Sequence, residues 1–397
     1  MKISEIRTFI AYSGLDRNYL FLEIETSTGA VGVGEATVEG KLKAVEAAIR
    51  EHENYLIGKD PQAIEEHWQV MNRGSFWRGG PVLNSAISGI EIALWDILGQ
   101  ELGAPIHQLL GGACRRKIRA YTHILGNTAE EHAEMAKELV KRGYNALKMD
   151  PYSSMEGEFV GGRKRDGSYP LPHGEAVIGR DAFEKSIERV RLVREAVGKG
   201  VDLMLDLHGR TTPTEAIRFA HEVEKYNPLF IEEPVPPENV DILALVRNSS
   251  RVSIATGERI FTKYGFRELL EKKACQVLQP DVCHAGGILE CKKIAAMAEA
   301  NFAEMAPHNP LSPVATAACL QLDACIPNFL IQEVPSEDAS WRERAVENAP
   351  KVVDGYFEIP SKPGLGVRLN HDALGERPYK KTDLPRFRRE DGSLTEW

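Results

Sequence analysis

At 397 residues the chain is long enough for a barrel-sized unit of about 250 residues and a smaller companion. Its 49 Lys and Arg against 58 Asp and Glu leave a net charge of −9, which repels nucleic acid and anionic membrane surfaces, so an anionic ligand needs a local positive site. No apolar run approaches the roughly 20 residues of a membrane span, the start Met1-Lys2-Ile3-Ser4 lacks a signal-peptide core, and the six cysteines form no Cys-x-x-Cys pair. The expectation is a soluble cytoplasmic protein with reduced thiols, no membrane or nucleic-acid partner, and any metal held by oxygen.

Residues 1–115 open with strand-like Lys2 to Tyr12 and Tyr19 to Thr26, joined by the turn-rich Ser13-Gly14-Leu15-Asp16-Arg17-Asn18. Three helical stretches follow, the last carrying Ile87, Ile90, Leu94, Ile97 and Leu98, and the whole reads as a small α+β domain. Over 116–351 a unit recurs, a short apolar run with a polar end and then an amphipathic helix. The runs lie near Ile118 to Ile124, Ala146 to Asp150, Val201 to His208, Leu229 to Glu232, Val252 to Glu258, Gln276 to Asp281, Ala303 to His308 and Phe329 to Glu333. Thr128 with Glu131 makes a capping box, and Asp181 with Glu184 imitates one. Eight runs with intervening helices are the arithmetic of a β/α barrel, with a doubly wound open sheet as the rival. A polar, glycine-rich insertion at 151–180 follows the second run, and the tail 352–397 leaves the repeat and packs back on the first domain.

The polar ends Asp206, Glu232, Glu258, Asp281, His308 and Glu333 are 26, 26, 23, 27 and 25 residues apart, so in a barrel they converge on one opening. Asp206, Glu232 and Glu258 bring three carboxylates to one point, which calls either for raised pKa values or for a hard divalent cation, and Mg²⁺ is the economical choice. In Leu205-Asp206-Leu207-His208, strand alternation puts Asp206 and His208 on one face. His308 follows Asp281, and an Asp–His pair fixes the tautomer and raises basicity, as a general base needs. Lys148 and Arg210 can supply positive charge for an anion. The other nine histidines, His123, His173 and His284 among them, read as polar residues at loop starts, with His173 and Tyr152 kept as outlying substrate contacts. A metal, a base and an acid together point to removal of a proton α to a carboxylate, with the second histidine protonating either a departing group or the other face.

The segments "YLIGKDP" (55–61), "RGGP" (78–81), "LDLHGR" (205–210), "FIEEP" (230–234), "GER" (257–259), "QPDVCHAGGI" (279–288), "PHNPLSP" (307–313), "CLQLDA" (319–324) and "REDGSLTEW" (389–397), with Lys43-Ala44-Val45-Glu46-Ala47-Ala48, resemble the mandelate racemase-like subgroup of the enolase superfamily over nearly the whole chain. That resemblance implies a modified TIM-type (β/α)7β barrel over 116–351, under an α+β capping domain over 1–115 completed by 352–397, with 151–180 as a lid-like insertion. It further implies Mg²⁺ on Asp206, Glu232 and Glu258, and His308 with Asp281 taking the C2 proton of an acid sugar. His208 would be the general acid for the leaving 3-hydroxyl, Glu333 would bond the substrate carboxylate or enediolate, and the product would be a 2-keto-3-deoxy acid. Lys148, Asp150 and Arg210 are then substrate-binding candidates, Asp150 contacting a hydroxyl or bonding a lid residue, and the assembly is a homo-oligomer. An isomerase using the same enediolate, a barrel glycosidase that would survive chelation, and a metal-stabilised binding protein are the competing readings.

Overall fold

The computed structural model describes residues 1–13, 17–74, 76–152, 175–178, 181–335, 339–381, 386–389, 391–394 and 396; residues 14–16 of the first turn and 153–174 and 179–180 of the insertion, His173 included, lie outside the described residues. Strands β1 (Ile3–Tyr12), β2 (Asn18–Thr26) and β3 (Val31–Glu35) form an antiparallel sheet. The sequence reading ran over β3, because Val31-Gly32-Val33-Gly34-Glu35 offers too few side chains to show an alternation. Its glycines have a packing reason: a Cβ on Gly32 or Gly34 would stand 2.1 or 2.0 Å from the carbonyl oxygens of Ala93 or Gly89. Helices α1 (Leu42–Leu56), α2 (Ile64–Arg73) and α3 (Gly80–Glu101) complete the cap, and Ala93 and Gly89 belong to α3, which thus lies directly on the strand. Among the described residues α3 alone is long and apolar enough to cross a membrane by length and composition, but it carries Glu91 and Asp96 and most of it is buried inside the protein as a core helix.

A short helix, α4 (Ile106–Leu109), leads into β4 (Lys117–His123), α5 (Ala129–Lys141), β5 (Ala146–Met149), and β6 (Glu175–Ile178) within the insertion. Then follow α6 (Ala182–Val197), β7 (Asp202–Asp206), α7 (Pro213–Val223), β8 (Phe230–Glu232), α8 (Val240–Ser249), β9 (Ile254–Thr256) and α9 (Thr262–Glu271). The series ends with β10 (Val277–Leu278), α10 (Ile288–Ala300), β11 (Glu304–Met305), α11 (Pro313–Cys325) and β12 (Gln332–Val334). Strands β4, β5 and β7 to β12 pair in parallel in that order, β12 returns to β4, and a parallel bridge from Met305 to Phe329 closes the ring between β11 and β12. Eight strands and the seven helices between them make a (β/α)7β barrel, filled by Tyr121, Ala146, Met204, Phe230, Ala255, Val277, Ala306 and Ile331.

The strands are shorter than their apolar runs. Glu258, Asp281 and His308 therefore sit two or three residues beyond β9, β10 and β11, although Asp281 and His308 still form a parallel bridge. Of the two helix starts, Thr128 accepts the Glu131 amide at 3.1 Å, and the Glu131 carboxylate reaches back to the Asn127 amide at 2.6 Å. Asp181 makes no such cap and instead pairs with Lys185 at 2.8 Å. The tail adds α12 (Ala339–Ala345), β13 (Val346–Glu347), β14 (Tyr356–Glu358), β15 (Arg368–Leu369), α13 (His371–Gly375) and β16 (Arg386–Arg389). It touches both halves: β14 pairs with β4, while the Tyr12 amide donates to the Arg377 carbonyl at 2.8 Å.

Buried acids of the cap hold it to the barrel and tail. Glu35 at the end of β3 accepts the Ser312 hydroxyl and the Ala315 amide (3.1 Å) at the start of α11. Glu91 of α3 accepts the Ile288 and Leu289 amides (2.8 and 2.9 Å) at the start of α10. A helix start carries unpaired N–H groups, which is what these oxygens satisfy. Burial pushes Glu91 up to about 8 despite those bonds, so they act as acceptor atoms more than as net charge. Both helix starts follow barrel strands, so the cap sits over the carboxyl ends. Asp96, also on α3, joins β3 to the tail by accepting the Val33 amide at 3.0 Å and the Leu365 amide at 2.8 Å. Asp96→Ala leaves two buried donors unpaired and is expected to cost about 2–4 kcal/mol, read as a lower midpoint in thermal or urea unfolding.

Candidate active site

Asp206 and Glu232 end the neighbouring strands β7 and β8 in direct register, and Glu258 follows β9, so three carboxylates enter the barrel mouth side by side. Among them lies Lys148 of β5, its side chain 2% exposed, with Nζ 3.1 Å from Asp206 Oδ2, 2.9 Å from Glu232 Oε2 and 2.9 Å from Glu333 Oε1. Burial opposes that charge, but the three carboxylates outweigh it and hold the ammonium well above the ordinary lysine value. The anions that Lys148 meets are thus the protein's own. Burial and then the nearby Asp206 push Glu232 up to about 7.

Among the described residues no three acidic or imidazole groups close into a metal cage, because the ammonium stands between Asp206 and Glu232 while Glu258 turns to His308. The donor set nevertheless fits a hard dication. It offers only oxygens, and Glu232 Oε1 is buried without a hydrogen-bond partner.

His308 donates from Nδ1 to Asp281 Oδ2 at 2.8 Å and places Nε2 2.8 Å from Glu258 Oε2. Burial alone would favour the neutral ring, but Glu258 and Glu333, with the Asp281 bond, raise His308 well above its usual value. On the other side of the mouth, β7 ends at Asp206, so pleat alternation does not carry on to His208, as the sequence reading assumed. His208 instead takes a left-handed conformation (φ 51°) and turns back, bringing Nε2 to 3.4 Å from Asp206 Oδ2. For a residue other than glycine such a conformation costs about 1–2 kcal/mol, and it persists where the surroundings enforce it.

Those surroundings are Asp150 and Arg210. Asp150 Oδ2 lies 3.5 Å from His208 Nδ1 and 2.6 Å from Arg210 Nη1, which holds its carboxyl well below the usual range against the effect of burial. Burial lowers His208, but Asp206 and Asp150 outweigh it and raise the ring to about 9, so it carries a proton at neutral pH. Phe387 of β16, which pairs with β6, lies 4.8 Å from the Arg210 guanidinium and covers it. Asp150 and Arg210 thus stand next to the histidine and hold each other.

Glu333 of β12 accepts the Asn309 amide at 2.7 Å and meets His123 Nε2 at 2.6 Å. Burial opposes its ionisation, but Lys148, His308 and His123 keep it well below the ordinary carboxylate value. In the sequence His123 reads only as a polar residue at a loop start. It ends β4, the first barrel strand, and its position as the polar end of an apolar run was the signal available. Glu233 and Arg259, paired through Arg259 Nη2 and Glu233 Oε2 at 2.5 Å, were also passed over, and they brace the loop beside Glu258. Tyr152, kept as an outlying contact, packs against Phe219 in the core, 5.8 Å between ring centroids.

Lys148→Met would leave Asp206, Glu232 and Glu333 facing one another without a cation. Breaking a buried pair in this way costs about 3–5 kcal/mol, and a lowered unfolding midpoint in EDTA, partly recovered by Mg²⁺, is the expected result.

Residues 10–111 match the mandelate racemase / muconate lactonizing enzyme N-terminal domain, and residues 131–373 match the enolase C-terminal domain-like family. A D-galactonate dehydratase of Pectobacterium atrosepticum is 40% identical over 405 residues, covering all of both chains, and one from Cronobacter sakazakii is 40% identical over 406, again covering both in full. Among solved structures, a mandelate racemase/muconate lactonizing enzyme-like protein from Roseovarius sp. TM1035 superposes with a TM-score of 0.87 at 33% identity over 99% of each chain. A mandelate racemase/muconate lactonizing enzyme from Jannaschia sp. CCS1 does so with a TM-score of 0.86 at 32% identity over 97% of this chain and 99% of its own.

Proposed function

The chain belongs to the mandelate racemase / muconate lactonizing enzyme family of the enolase superfamily, and from that premise we propose that it is a hydro-lyase that dehydrates an acid sugar, D-galactonate first among the candidates, to the 2-keto-3-deoxy acid. The observation that carries this reading is the placement of two imidazoles. His208 follows β7 and His308 follows β11, four strands apart on an eight-stranded ring, so they face each other across its mouth, each with its own carboxylate.

With Glu258 drawn away from it, as it would be when holding a dication, His308 gives up its Nε2 proton to solvent, keeps Nδ1–H on Asp281 and then takes the C2 proton of the substrate at Nε2. The electron pair released from C2–H moves into the substrate carboxylate to give the enediolate, whose charge the Lys148 ammonium would face, with the ionised Glu333 holding that ammonium in place. His208 then gives its proton to the 3-hydroxyl as the enediolate electrons return to form C2=C3, the C3–O bond breaks with loss of water, and the enol takes a proton at C3 and loses one from its hydroxyl to become the 2-keto acid. The raised pKa of His208 suits it to hold that proton until the hydroxyl needs it. Asp206, Glu232 and Glu258 would hold Mg²⁺, which when bound supplies positive charge to the carboxylate as it gains electrons.

A net charge of −9 disfavours nucleic acid as the partner, and a small acid sugar would bring its carboxylate to the dication that the acidic mouth would hold. The six cysteines are all free, which suits a reducing cytoplasm, and a homo-oligomer is the assembly we carry forward from the family resemblance.

Proton NMR in D₂O with D-galactonate and Mg²⁺ is expected to show the 2-keto-3-deoxy acid, and a parallel sample with excess EDTA to show none. C2 exchange without loss of water would indicate an isomerase instead. His308→Asn should reduce turnover by about 10²–10⁴-fold while calorimetry still detects Mg²⁺ binding; unchanged turnover would remove His308 from the role of base.

A further inference from the structure

Asp281, the partner of His308, opens a loop that the cap holds in place. Trp68 Nε1 donates to the Gly286 carbonyl at 2.9 Å, the Gly286 amide donates to Ser88 Oγ at 3.0 Å, and Glu91 takes the next two free amides, those of Ile288 and Leu289. Between these anchors stands His284. Its Nδ1 is 2.8 Å from Ser85 Oγ of α3, and its Nε2 is 3.6 Å from Asp281 Oδ2, the same oxygen that receives the His308 Nδ1–H.

The chemistry of Ser85 fixes how this contact runs. A hydroxyl has one proton, and the Ser85 proton goes to the Pro81 carbonyl at 2.6 Å, so toward His284 the oxygen can only accept. His284 Nδ1 therefore carries a hydrogen, and the ring, fixed at that end, packs its Nε2 3.6 Å from Asp281 Oδ2, a contact longer than a hydrogen bond. Asp281 Oδ1 is meanwhile tied to the Cys283 amide at 2.7 Å. With one oxygen bound to the loop and the other between two imidazoles, the carboxylate has a single orientation in which Oδ2 meets His308.

We propose that Ser85 and His284 are positioning residues for the general base: through Asp281, a hydroxyl on the capping helix sets the orientation of the His308 ring. The assignment rests on His308 being the base. It gives the cap a part in the chemistry distinct from covering the substrate. Neither Ser85 nor His284 needs to touch the substrate, so their loss reduces the rate of proton removal and leaves binding alone.

The test uses the Mg²⁺-loaded protein labelled with ¹⁵N-histidine, the His308 ring signals being identified by their loss in His308→Asn. In Ser85→Ala and in His284→Asn the His308 ring nitrogen signals are expected to move, while Ser85→Thr, which keeps the hydroxyl, returns them to the parent position. Kinetics on D-galactonate are expected to show kcat lowered about tenfold or more in the first two variants, KM unchanged, and recovery in Ser85→Thr. His308 signals that superpose on the parent's in both variants overturn the proposal, as does a shift in the signals with kcat unchanged. If the parent itself dehydrates no D-galactonate, the substrate assignment fails, and the ring signals still decide the positioning role.

Discussion

The buried ammonium of Lys148 is what allows the mouth of this barrel to hold so many acids. Asp206, Glu232 and Glu333 approach the same nitrogen within 3.1 Å, and without it their mutual repulsion in a poorly solvated site would protonate or separate them. Burial, and after it the nearby Asp206, still pushes Glu232 up to about 7 against the effect of this cation. The crowded charge also gives the ring the character of a hard-dication site, with oxygen donors alone and a buried Glu232 Oε1 that no hydrogen bond occupies.

Around that centre the two histidines are tuned by different neighbours. His308 sits between Glu258 and Asp281, both carboxylates, whereas His208 shares Asp150 with the guanidinium of Arg210. Arg210 takes up part of the Asp150 charge and sits 3.4 Å from the same ring, so the two sides of the mouth differ in more than geometry. In the mechanism we propose, these two surroundings would serve a base that releases one carboxylate to meet the substrate and an acid that keeps its proton.

The cap is held by a second set of acids, used in the opposite way. Glu35, Glu91 and Asp96 are buried, and among the described residues they are met by backbone amides at two helix starts and in two chain segments, with hydroxyl and indole donors beside them. The helix starts of α10 and α11 adjoin the loops of Asp281 and His308, so the cap is bonded next to both residues. Glu35 and Glu91 in the sequence look like any other acids on an amphipathic element, and nothing local distinguishes an acid that faces water from one that faces a helix start of another domain.

The alternation of apolar run and helix, the eightfold count, and the order in which Asp206, Glu232, Glu258, Asp281, His308 and Glu333 close the repeats were all legible in the chain, because strand and helix periods are local and a closed barrel brings every strand end to one ring. The sequence also sufficed to pair His308 with Asp281, since neighbouring strand ends must meet. It could not place Lys148 inside the acid ring, turn His208 back on a left-handed backbone, or bring His123 to Glu333 across the seam where β12 returns to β4. Those contacts join residues up to 210 positions apart, and they depend on side-chain reach and burial once the ring has closed. Residue type and spacing determined which chemical groups arrive at the mouth; only the closed tertiary structure decided which of them neutralise one another and which remain free to act, because the energy of a buried charge depends on distances that no local pattern records.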